Sequence, residues 1–328
     1  MQENLLLILL YLLIIYFNIF LSKKLSFYDT SSPRSVHNTA VLNTSGISLY
    51  VYIILFISIY ELSFEIEKIL TIAFFITLFG FIDDRKNLPA ITKIILLSLP
   101  TIYLIFNGYL LEDLGDYEYL DKIKLGKFSI VFTILACGLL INSYNYIDGI
   151  DGLLLCNILT SFFYIIFLIE DENLKKIIYI LSIPLVINLI FNFLPKKNSF
   201  KIFLGNSGSL LLGFFMSFFL IYLYKYQNIH PAFLIWICWL PVYDFLFVTF
   251  YRIKNNKKFF LGDNTHLHHY LLKLMEKSHI KTTILICIIN IIIIFIGYQI
   301  AILSKFYSLY SYVFLFLIYI YIRNCRIN

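Results

Sequence analysis

Long apolar runs separated by short polar punctuation dominate the chain, and neither the period-2 alternation of strands nor soluble-helix amphipathicity recurs along it. About 20 consecutive apolar residues suffice to cross a bilayer as a helix. On that measure the runs predict eleven spans, near 4–22, 46–62, 67–82, 91–107, 128–144, 152–169, 174–194, 208–224, 231–250, 282–303 and 305–322. The third and fifth are short. No internal repeat, low-complexity linker or soluble domain interrupts them. The expected fold is an all-α integral membrane protein, a polytopic helical bundle of about 10–11 transmembrane helices forming a single domain over 1–328.

Composition agrees. Of 328 residues 60% are hydrophobic and only 14% charged, where a soluble domain carries about a quarter. A cytosolic enzyme, a disordered chain and a collagen-like fibre are excluded. The five cysteines show no CxxC spacing and read as small hydrophobes. The first run follows Met-Gln-Glu-Asn and is followed by Lys23-Lys24 with no small-residue cleavage site, so it reads as a retained helix rather than a signal peptide.

Charge orients the bundle. With the N-terminus outside, 18 of the 26 Lys and Arg fall in the inside segments, as the positive-inside rule asks. The net charge of +6 therefore reports topology, and no nucleic-acid partner is expected. The inside loops lie near 23–45, 83–90, 145–151, 195–207 and 251–281. Twelve of the 20 acids lie outside in loose clusters, whereas Asp83, Asp84, Asp148, Asp151, Asp244 and Asp263 gather at inner ends of apolar runs. Carboxylates near hydrocarbon are costly, and several on one face mark a functional site.

Four clusters carry the chemistry. Asp83-Asp84-Arg85 pairs two carboxylates at a helix end, suiting a general base or a magnesium site, or a solvated helix end neutralised by Arg85 and Lys86. Asn142, Asn145, Asp148 and Asp151 recur every three residues, and Gly149 and Gly152 allow close approach, as for a metal or substrate site or an Asx-rich turn. Leu204-Gly205-Asn206-Ser207-Gly208-Ser209 opens a span as a phosphate cradle or as a small-residue packing segment. In Asp263-Asn-Thr-His266-Leu-His268-His269 the histidines suit phosphate or zinc, Asp263 could cap the short amphipathic helix that follows, and Arg252 upstream suits a phosphate clamp. His37, His230 and His279 stand alone and receive no role. Together these residues suit phosphoryl transfer, which needs positioning and charge neutralisation at a membrane surface.

These motifs, with Ser35-Val36-His37 and Pro241–Asp244, occur in the order seen in polyprenyl-phosphate N-acetylhexosamine-1-phosphate transferases, which the chain resembles over most of its length. The resemblance implies a multi-pass enzyme of the bacterial cytoplasmic (inner) membrane, with its active site facing the cytoplasm. It would move an amino-sugar 1-phosphate from a UDP-activated amino sugar to undecaprenyl phosphate within the membrane lipid and release UMP, using magnesium, or manganese in its place. A homodimer is compatible with such a fold. By motif position Asp83 would be the base, with Asp84 beside it as a second catalytic carboxylate. Asp148 and Asp151 would organise nucleotide and metal with Asn145. Substrate contacts would come from Asn142, Arg252, Asp263, His266, His268, His269, Gly205 and Gly208. Metal ligands would be Asn145, Asp148 and Asn206, the last standing where the family usually has Asp. The His-x-His-His form favours an N-acetylhexosamine donor over the muramyl-pentapeptide donor of peptidoglycan synthesis. A membrane transporter and a catalytically inactive scaffold are the rival classes, the second motivated by Asn206. A further departure, Asn43-Thr44-Ser45-Gly46 in place of an Arg-x-Gly-Gly run, weakens any role for the first loop.

Overall fold

The computed structural model describes residues 2–29, 41–60, 64–86, 88–195, 200–256 and 265–327. Its helices follow the apolar runs: α1 (Gln2–Lys24), α2 (Ser45–Ile59), α3 (Phe64–Lys86), α4 (Ala90–Phe106), α5 (Ser129–Ile147), α6 (Leu153–Leu168), α7 (Glu172–Phe193) and α8 (Gly205–Tyr226). After them come α9 (Pro231–Ile237), α10 (Trp239–Lys254), α11 (Leu267–Leu274), α12 (His279–Leu303) and α13 (Lys305–Ile327). Among the described residues six helices are long and apolar enough to cross a membrane, or seven with α9 and α10 taken as one broken span. The protein is an all-α, multi-pass membrane protein. Tyr28–Asp29 and Val41–Leu42 add a two-stranded antiparallel pair at one end.

All eleven expected spans have a helical counterpart, and the ninth is corrected in shape. The run over 231–250 bends by 72° between Ile237 and Trp239. Pro241 supplies the reason, because its ring lacks an N–H and clashes with the carbonyl four residues earlier, that of Ile237. The break turns α10 so that Asp244 and Arg252, both buried, reach the end of the bundle where α3, α5 and α8 meet.

Helix α8 is the axis of the fold. Its apolar span is 89% buried, against 6% for α13 at the periphery. α2, α3 and α5 pack on it. Lipid offers no hydrophobic drive between helices, so close backbone approach is what holds them. A Cβ on Gly46 of α2 would come within 2.1 Å of Gly208 N, and one on Gly80 of α3 within 2.5 Å of Asn206 O. A Cβ on Gly213 would lie 2.8 Å from Ile141 Cα of α5. These contacts fix the N-terminal end of α8 against α2 and α3 one turn before Asp83.

Gly80→Ala therefore overpacks this contact. Such strain costs roughly 1–3 kcal/mol, and the thermal unfolding midpoint in detergent falls. Gly138→Ala, whose new methyl meets nothing within 4 Å, leaves the midpoint in place.

Candidate active site

The ends of α3, α4, α5, α8 and α10 enclose a cavity of about 680 Å³. One half is apolar, lined by Phe79, Ile94, Leu97, Ile134, Leu135 and Leu139. Ile94 and Leu135 are also exposed on the outer surface of α4 and α5, so this half opens sideways toward hydrocarbon. The other half is polar and carries Asp83, Lys93, Asn142, Asn145, Asp148, Arg252 and His266. Side chains expected from separate motifs thus converge on one wall.

Asp83 is buried and accepts from three donors. Its Oδ1 accepts from Leu88 N at 2.9 Å. Its Oδ2 accepts from Asn206 Nδ2 at 2.7 Å and pairs with Lys93 Nζ at 2.8 Å. Charge-assisted hydrogen bonds of this kind fix the side chain's orientation. By sequence Lys93 is one of the 18 inside cations and carries no further mark. Its position one turn into an apolar helix, ten residues after Asp83, is the signal that could have singled it out.

Asn206 is the hub of the knot. Its Oδ1 accepts from Asn145 Nδ2 at 2.9 Å while its own amide nitrogen donates to Asp83. Asn145 Nδ2 also donates to Ser209 Oγ at 2.7 Å. The Asn206 oxygen, an expected metal ligand, accepts one hydrogen bond here, and Asn206 does not line the cavity. Asp84 does not line the cavity. Its Oδ1 accepts from Asn206 N at 3.1 Å, occupying the helix N-terminus that a phosphate cradle would need. The expected glycine cradle is corrected accordingly. Gly205, at φ +68°, lies against Asp84 and Asn43, Gly208 lies against Gly46 and Leu204, and neither faces the cavity.

The carboxylates of the 148–151 loop divide. Asp148 faces the cavity. Burial first, then the charges of Asp84 and Asp151, push its carboxyl up to about 7. Asp151 points away, which corrects its expected place in the catalytic set. Lys201 Nζ meets its Oδ2 at 2.7 Å, and His279 Nδ1 lies 3.3 Å from its Oδ1. Burial opposes its charge, but His279 and Lys201 outweigh that and hold it below the usual carboxylate range. Lys201 also donates to the carbonyls of Asn192 and Leu194, so this pair clamps the loop to the end of α7. His279, given no role from sequence, is part of the clamp.

The histidines divide too. Only His266 reaches the cavity. Its Nδ1 meets Asp244 Oδ2 at 2.7 Å, and Asp244 Oδ1 accepts from Leu267 N at 2.8 Å. An acceptor-only carboxylate on Nδ1 fixes a proton there and leaves Nε2 for the cavity. His268 is buried behind it, with Nε2 in the space that a Gly149 side chain would fill. Burial, with His269 and His266 alongside, holds its pKa well below the usual histidine value, so it is neutral. His269 lies against His268 with ring centroids 4.2 Å apart and the planes tilted by 54°, and it does not line the cavity. Asn142, whose Nδ2 donates to Gly138 O at 2.7 Å, lines the cavity as expected. Arg252 is buried and lies over the Tyr146 ring. Asp263 and residues 35–37 lie outside the described residues.

Among the described residues no three His, Cys, Asp or Glu side chains cluster as a preformed metal site. A hard cation that keeps most of its shell from water and substrate phosphate needs only one or two carboxylates from the protein. Asp148, facing the cavity with its charge uncompensated, fits that requirement, and Asn145 beside it can add a neutral oxygen.

The two carboxylates predict opposite stability effects. Because the raised pKa of Asp148 favours the protonated form in the fold, a stability penalty develops as pH rises toward 7 and is full above it. Asp148→Asn should raise the unfolding midpoint in EDTA more at pH 8 than at pH 5. Lys201→Met strands a buried charge, costs roughly 3–5 kcal/mol, and lowers the midpoint at both.

Residues 67–224 match the sequence profile of glycosyl transferase family 4. Over 278 residues the chain is 27% identical to a Bacillus subtilis (strain 168) protein described as a probable undecaprenyl-phosphate N-acetylglucosaminyl 1-phosphate transferase, covering 82% of this chain and 76% of that one. It is 25% identical over 259 residues to the undecaprenyl-phosphate alpha-N-acetylglucosaminyl 1-phosphate transferase of Escherichia coli (strain K12), covering 77% and 71%. The protein of that name from Pasteurella multocida (strain Pm70) is 28% identical over 273 residues, covering 77% and 73%.

Proposed function

We propose that the chain, whose residues 67–224 match glycosyl transferase family 4, transfers an N-acetylhexosamine 1-phosphate, with N-acetylglucosamine the first candidate, from a UDP-sugar to undecaprenyl phosphate. The relatives from Bacillus, Escherichia and Pasteurella carry that activity in their names. One observation of this molecule supports it most directly. A single cavity joins an apolar half, open toward hydrocarbon between α4 and α5, to a polar wall bearing Lys93, Arg252, His266 and Asp148. A prenyl chain suits the first half and two phosphate-bearing head groups suit the second.

The chemistry follows from that geometry. The acceptor's phosphate oxygen attacks the phosphorus attached to the sugar, the bond to UMP breaks, and a lipid-linked diphosphate sugar forms. Lys93 offers the lipid phosphate a cation without leaving Asp83, whose own charge Asn206 and Leu88 N continue to solvate. Arg252 and the Nε2 side of His266 offer contacts to the donor's diphosphate. Magnesium, held by Asp148 and Asn145, would neutralise charge on the phosphates. The positive-inside charge distribution supports a cavity that faces the cytoplasm of a bacterial inner membrane, and the product begins a lipid-linked cell-envelope glycan.

Purified protein given undecaprenyl phosphate and a panel of UDP-N-acetylhexosamines should release UMP from one donor and lose that activity in EDTA. No UMP from any donor, with magnesium present, overturns the reading. Lys93→Met should raise KM for undecaprenyl phosphate roughly tenfold or more, since a charge-assisted phosphate contact is lost. Asn206→Asp replaces a donor 2.7 Å from Asp83 with a second carboxylate. Like charges at that distance recruit a cation, so the magnesium titration should shift to lower concentration. An unshifted titration removes Asn206 from the neighbourhood of the metal.

A further inference from the structure

Helix α13 lies beyond the matched residues 67–224 and is mostly bare toward lipid. Its inward stripe is nonetheless polar and ordered. Ser308 Oγ accepts from Trp236 Nε1 and donates to Ala232 O, both at 2.8 Å. Tyr243 OH donates to the Tyr312 carbonyl. One turn after another, the same stripe reaches Tyr319 and Arg323 at the end of the bundle that holds the cavity.

Those last two side chains act on the histidine loop. Tyr319 OH donates to Asp244 Oδ1 at 2.9 Å, on the carboxylate whose other oxygen holds His266 Nδ1. Arg323 is 2% exposed, and its Nη2 donates to the carbonyl of Thr265, the residue immediately before His266. The guanidinium lies over the rings of Phe247 at 5.1 Å and Tyr270 at 5.7 Å, one from α10 and one from α11. Burying a guanidinium is costly unless its contacts repay desolvation. A peripheral helix held only by lipid-like packing has no need of one. Here the charge is spent on one backbone carbonyl and two rings, all belonging to the segments that carry Asp244 and His266.

We propose that α13 is a positioning helix for the transferase site: Tyr319 and Arg323 lock the Asp244–His266 pair and the loop behind it, keeping His266 Nε2 turned into the cavity. Neither residue lines the cavity, so both act through His266 rather than on substrate. The inference rests on the proposed transfer reaction for the identity of what His266 contacts, and on the geometry alone for the locking.

A double-mutant cycle tests it. Tyr319→Phe and Arg323→Gln should each lower kcat roughly tenfold and raise KM for the UDP-sugar severalfold, with KM for undecaprenyl phosphate unchanged. Arg323→Lys, which can still donate to the Thr265 carbonyl, should recover part of the loss. Placed on a His266→Ala background, Tyr319→Phe should add no further loss. Losses that multiply on that background, or a rise of both KM values together, overturn the proposal. Should Arg323→Gln fold poorly, Tyr319→Phe, which deletes one oxygen, carries the cycle alone. A wild-type protein that releases no UMP sinks the transferase reading by itself. The cycle is then read on the Kd of UDP-N-acetylglucosamine, where non-additivity supports the locking and additivity overturns it. A protein that neither turns over nor binds that nucleotide overturns both.

Discussion

One amide ties the site together. Asn206 joins α3 through Asp83, α5 through Asn145, and the start of its own helix through the Asp84 carboxylate on its backbone N–H. In hydrocarbon such groups cannot fall back on water, so each must find its partner inside the bundle. The glycine contacts that bring α2 and α3 against α8 place these groups within bonding distance. The order of the polar wall follows from that packing.

Electrostatics then separates residues that share a motif. Asp148 and Asp151 stand three positions apart, yet one faces the cavity with its charge uncompensated while the other is paired with Lys201. The neutralised carboxylate makes the loop rigid, and the uncompensated one gives it something to do. The same division runs through the histidines. His266 is oriented by Asp244, His268 is packed neutral behind it, and His269 lies tilted against His268 outside the cavity.

Much of the bundle was legible because a bilayer imposes a simple rule. Runs of apolar residues became α1 to α8, α12 and α13 near their expected bounds, and the short amphipathic run after His266 became α11. The ninth run broke at Cys238, a consequence of Pro241 that the hydropathy pattern does not register. Four motif regions converged as expected, yet several members proved to be supports. Gly205 and Gly208 pack helices, Asp84 caps α8, and Asp151 clamps a loop. Residues without a motif entered the site instead. Lys93 hides in an apolar helix, and Tyr319 lies 75 residues from the carboxylate it holds.

Sequence by itself determined the class of protein, the number of apolar helices, and which polar clusters share one end of the bundle. Hydropathy, charge bias and local spacing are properties of short segments, and the bilayer reads them segment by segment. Only the tertiary structure decided which carboxylate faces the cavity, which is paired, and which way an asparagine amide turns. Those outcomes depend on partners contributed by other helices, at distances near 3 Å that no linear spacing encodes.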